Sequence, residues 1–169
     1  MYNTNNFIPF DHGDLESKNQ LIAFARAKDK NKVEEILAAT VIYTNLIDYL
    51  ARHLLENLQQ MCSISNYKVF GTVFYYDPSG KKMNISLGNI IRELEQFGFP
   101  DKSNFLKELG SFSEIRNRIT HDLMKLNLKS NTNQFDQDLE KIGKSAEEIL
   151  SKYNSIVVGI TVIWQQSQK

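Results

Sequence analysis

Apolar residues recur every three or four positions along most of this chain, the spacing of one face of an α-helix. The longest run has apolar residues at 33, 36, 37, 41, 47, 50, 54, 58 and 61 and predicts a helix over residues 32–62. Asn31 stands where an N-cap belongs, and Glu34 follows three residues on in capping-box spacing. A shorter helix is expected over residues 15–29, with Leu21, Ile22, Phe24 and Ala25 on its buried face. From Lys102 onward, Phe105, Leu109, Phe112, Ile115, Ile119, Leu123 and Leu126 form one continuous stripe, in which Gly110 marks a point for a kink or split. The last helix carries Phe135, Leu139, Ile142, Ala146, Ile149, Tyr153, Ile156, Ile160 and Ile163, a near-heptad spacing suited to packing along another long helix.

The periodicity breaks in the middle of the chain. Residues 67–76 are dense in β-branched and aromatic side chains, and Asp77-Pro78-Ser79-Gly80 is a turn sequence. With residues 81–85 as a returning strand, a β-hairpin is expected over about residues 66–85. Helical reading resumes at Ser86, a candidate N-cap, and runs to about Phe97, before Gly98-Phe99-Pro100. Residues 1–14 read as an irregular arm and residues 127–133 as a polar linker. The expected fold class is all-α, a helical bundle with a small β-hairpin insertion, in one domain spanning residues 1–169.

Composition narrows the function classes. Twenty basic residues balance twenty acidic ones, which speaks against broad, sequence-independent binding to nucleic acid. Cys62 is the only cysteine, so no intrachain disulfide can form, and a cytoplasmic location is expected. The most apolar run, residues 156–164, is too short to cross a bilayer, which needs about 20 residues. It reads as a buried helix end or a subunit contact, and no membrane partner is expected.

The candidate chemistry lies in Arg116-Asn117-Arg118-Ile119-Thr120-His121. A guanidinium binds phosphate as a planar fork, and an imidazole moves protons near neutral pH. At about 100° per residue, Asn117 and His121 fall within about 40° of each other, nearly opposite the buried Ile119. Arg116 lies on the flank, about 60° from the stripe centre. The polar face therefore points away from the core of its own chain. It is either plain solvated surface, with Glu114 and Arg118 paired at i, i+4, or the lining of a groove completed by something else. A second copy related by a two-fold axis would bring two Arg/His sets together.

This segment resembles the HEPN superfamily, whose hallmark is an Arg and a His four to six residues apart with a polar residue after the Arg. Arg116, Asn117 and His121 match that pattern, and Asp122-Leu123 follows it. The similarity covers residues 33–164 in architecture and about eight residues in specific detail. It implies a HEPN-like four- to five-helix bundle; the hairpin and the arm are not part of that common core. It also implies a metal-independent endoribonuclease acting as a homodimer, often a toxin or defence protein held by an antitoxin or regulatory partner. Arg116, Asn117 and His121 would be the catalytic residues, RNA the substrate, and no cofactor or metal is expected. The alternative is a catalytically inactive HEPN-like regulatory domain that binds a protein or a nucleotide.

Other motifs fail on their residues. Gly80-Lys81 lacks the Walker pattern, because Tyr75 and Lys82 stand where Gly and Ser or Thr belong. His12 and His53 have no partners at ligand spacing, and HExxH, CxxC and G-x-S-x-G are all missing from the sequence. His53, beside Arg52, reads as surface. The hairpin aromatics suit a sheet face packed on the bundle better than a base-stacking platform.

Overall fold

The computed structural model describes residues 15–29, 32–70, 86–124 and 132–167. Among these the chain is all-helical, with five helices: α1 (Leu15–Arg26), α2 (Val33–Phe70), α3 (Leu87–Leu94), α4 (Lys102–Met124) and α5 (Thr132–Ser167). The two long helices are 38 and 36 residues, and they form the spine of the bundle. α4 packs most extensively on α5, α2 lies along α5, and α1 and α3 close the sides of α2.

The predicted stripes meet in one core. Leu50 and Leu54 of α2, Ile90 of α3, Phe112 and Ile119 of α4 and Ile149 of α5 are all fully buried. Burying each such side chain is worth about 1.5–3 kcal/mol, so this shared core holds the helices together. α4 is unbroken across Gly110, so the expected kink or split does not divide it. Ser86 caps α3, its side chain accepting from the Asn89 amide at 3.4 Å. The expected Asn31 cap lies outside the described residues. At that end of α2, Glu35 reaches back and accepts from the Asp29 amide at 2.9 Å. This bond, with Lys32 close by, pulls the Glu35 carboxyl below its usual range.

Three expectations change. Residues 67–70, expected to open the first strand, continue α2. Extending an existing helix costs far less than nucleating new structure, and β-propensity is context-dependent. Residues 71–85, the remainder of the expected hairpin, lie outside the described residues, as do the arm of residues 1–14, Leu126 and most of the 127–133 linker. In α1, Ile22 and Ala25 are buried, but Leu21 and Phe24 are exposed. The third buried position on that face is Lys18, whose ammonium lies 5.2 Å from the centre of the Tyr49 ring and 6.0 Å from that of Tyr153. In the terminal apolar run, Ile156, Val157, Ile160 and Trp164 are buried while Val158, Val162 and Ile163 face outward. Among the described residues no helix is long and apolar enough to cross a membrane.

Candidate functional site

Ile119 sets the phase of the second half of α4. It is fully buried, and this forces Asn117 and His121 onto the exposed side. Arg116, one position before Asn117, turns toward α2 and is partly buried. Its Nε and Nη2 both donate to Asn117 Oδ1, at 3.4 and 3.2 Å. These are long bonds, and long bonds are weak. They nevertheless occupy the edge of the guanidinium that a phosphate would take in two-point contact. The third nitrogen, Nη1, stands 3.8 Å from Asp48 Oδ1 of α2.

Asp48 is the acidic wall of this arrangement. Its Oδ1 is buried and accepts no hydrogen bond. Burial pushes the Asp48 carboxyl above its ordinary range, and the nearby Arg116 and Arg52 charges pull it part of the way back. Asp48 thus attracts Arg116 electrostatically without fixing it by a hydrogen bond.

Beside these residues runs an open groove of about 550 Å³ between α2 and α4. Arg116, Asn117 and Thr120 line one wall; Leu37, Val41 and Asn45 belong to the other. Thr120 donates its hydroxyl to the Arg116 carbonyl at 2.9 Å, which keeps it on the polar face. Leu37 and Val41 are each half exposed, an apolar pair at i, i+4 next to the motif. The structure therefore brings Arg116 and Asn117 into direct contact at a groove. His121 is exposed one turn farther along α4 and is not among the residues lining that groove.

Arg118 has a different task. Sequence spacing offered Glu114 as its partner, but its fork reaches Asp138 of α5, with Nε and Nη2 at 3.0 and 3.1 Å from the two carboxylate oxygens. Asp138 is almost fully buried. This two-point bond ties the motif helix to α5 and fixes where Arg116 and His121 stand along the bundle. Sequence reasoning missed Asp138 and Asp48, since neither lies at a spacing along the chain that marks it as a partner.

His53 is also placed differently from expectation. It is half buried, stacks on Tyr49 with ring centres 5.6 Å apart, and its Nδ1 lies 2.5 Å from the Tyr153 hydroxyl. With Lys18 it forms a polar seam joining α1, α2 and α5, well removed in sequence from the α4 motif. Among the described residues no cluster of three His, Cys, Asp or Glu side chains is arranged to hold a metal ion. Comparison with protein-family models, with curated proteins and with solved structures found no match to this chain.

Proposed function

We propose that this chain is a HEPN-type, metal-independent endoribonuclease whose site is completed across a homodimer. The observation that carries the reading is the juxtaposition of Arg116 and Asn117 on a groove wall, on a helix whose next turn presents His121 to solvent. Placement outside the core supports a site formed between chains, because one Arg and one His cannot supply a base, an acid and charge stabilisation. Two copies can. The half-exposed Leu37 and Val41 beside the motif give such a contact an apolar part.

The chemistry follows from the residue types. A base, His121 of one copy, takes the proton from the RNA 2′-OH. The 2′ oxygen bonds to phosphorus as the bond from phosphorus to the 5′ oxygen breaks. An acid, His121 of the second copy, delivers a proton to that leaving oxygen. Arg116 stabilises the charge that builds on the phosphoryl oxygens, and it does so by exchanging its Asn117 contact for the phosphate. Asn117, released, orients the phosphate. The products carry 2′,3′-cyclic phosphate and 5′-hydroxyl ends.

One observation favours a second reading. The Arg116 fork is already engaged by Asn117, and its remaining nitrogen faces the Asp48 carboxylate. A guanidinium so committed suits a regulatory domain that docks a partner protein in the groove over Leu37 and Val41. Growth of cells expressing the wild-type chain or His121→Ala separates the two. A toxin-type nuclease slows growth in a His121-dependent way; equal growth removes the toxin reading and leaves the docking one.

A further inference from the structure

The pocket between the start of α2 and the middle of α5 has no part in the reading above. It measures about 270 Å³, near the lower limit for small-molecule sites, which begin at about 300 Å³. Its apolar lining includes Ile36, Ala39 and Ile142, together with the bare backbone of Gly143.

Tyr43 is its distinctive member. The residue is 4 % exposed and lines the pocket. Among the described residues no hydrogen bond reaches its hydroxyl. A methyl group on Gly143 would stand 3.1 Å from that hydroxyl oxygen, so the glycine preserves the space in front of it. Burial raises the Tyr43 pKa, and Arg26 only partly offsets this, so the hydroxyl keeps its proton at neutral pH and can donate. The hydroxyl oxygen is not among the described side-chain atoms that are buried without a partner, so it opens on to the pocket, where a bound molecule can reach it.

The rim decides the charge of the occupant. Arg26, Lys28 and Lys144 are balanced by Asp29, Glu140 and Glu147. Most of these are already committed: Arg26 pairs with Glu147, and Lys144 with Glu140 at 2.6 Å. Asp29 lies 3.8 Å from Lys32, and Lys28 sits 4.1 Å over the Phe24 ring. An ionic ligand would have to break one of these contacts, whereas a neutral one leaves them in place.

We propose that this pocket binds a small neutral molecule, apolar over most of its surface, whose single polar group bonds to the Tyr43 hydroxyl. The assignment is independent of the ribonuclease reading, since the pocket shares neither Arg116, Asn117 nor His121 with it.

Calorimetric titration of the full chain with phenol, indole and benzoate tests it, alongside Tyr43→Phe and Gly143→Ala. The expected result is saturable one-site binding of phenol or indole, tighter than benzoate. Tyr43→Phe should weaken binding severalfold and up to about tenfold, the effect of one hydrogen bond. It should melt no lower than wild type, because the hydroxyl has no partner to lose. Gly143→Ala should weaken binding by intruding on the space before the hydroxyl, with helicity retained. Three results would each overturn the proposal: no saturable binding of either neutral probe, tighter binding of benzoate, or binding unchanged in both variants.

Discussion

Arg118 of α4 grips Asp138 of α5 at two points, 3.0 and 3.1 Å, and the two ends of this bond have unequal access to water. The Arg118 side chain is about half exposed, at 49 %, while that of Asp138 is 2 % exposed. Loss of the acid leaves a guanidinium that water can solvate. Loss of the base takes a two-point, charged contact away from a carboxylate inside the bundle. Arg118→Ala should therefore cost about 2–4 kcal/mol in urea unfolding, and Asp138→Ala clearly less. Equal costs would show that the buried end does not carry the asymmetry.

The motif helix separates residues that hold the fold from residues that do not. Ile119→Ala opens a cavity under the motif and should destabilise by about 2–5 kcal/mol. Asn117→Ala and His121→Ala, on the exposed face, should each change stability by about 0.5 kcal/mol or less. Denaturation midpoints of the three variants check this. A large loss in His121→Ala would assign the imidazole a structural task.

Asp48 links stability to the proposed chemistry. Its folded pKa lies above its unfolded value, chiefly through burial. The sign follows: protonation favours the folded state, so this residue's contribution weakens the fold as pH rises from the unfolded value through the folded one. Asp48→Asn should flatten that part of the stability profile and leave the protein at least as stable at pH 7. It also removes the carboxylate facing Arg116 Nη1, so under the nuclease reading affinity for a short RNA should rise. Thermal unfolding between pH 3 and 7, with binding measured at pH 7, reads both effects.

The polar seam has its own test. Tyr153→Phe keeps the buried ring and removes only the hydroxyl that meets His53 Nδ1. The expected cost is about 1 kcal/mol, a fall of about 2–4 °C in Tm for a chain of this size. An unchanged Tm would mean that water replaces the hydroxyl without loss.

Much of this architecture was legible from spacing alone. Ile119, Phe112 and Phe105 carry the period that places α4 on the core, and Ser86 carries the cap of α3. The exposed phase of Asn117 and His121 follows from the burial of Ile119. What spacing does not encode is partnership across helices. Arg118 and Asp138 are 20 residues apart, and Arg116 reaches Asp48 on a different helix. Nor does apolar character fix burial at the margin of the bundle. α1 is a surface helix that presents one narrow face to the core, so Leu21 and Phe24 stay outside while Lys18, sheltered by two phenol rings, goes in. At residues 67–70 local β-propensity yields to the continuing helix.

The most direct test of the central claim is the end chemistry of RNA exposed to the purified chain without divalent metal. Fragments with 2′,3′-cyclic phosphate and 5′-hydroxyl ends are expected, formed by wild type and lost in both Arg116→Ala and His121→Ala while the fold is retained. RNA left intact by wild type across salt, pH and sequence, or cut equally by His121→Ala, would contradict it.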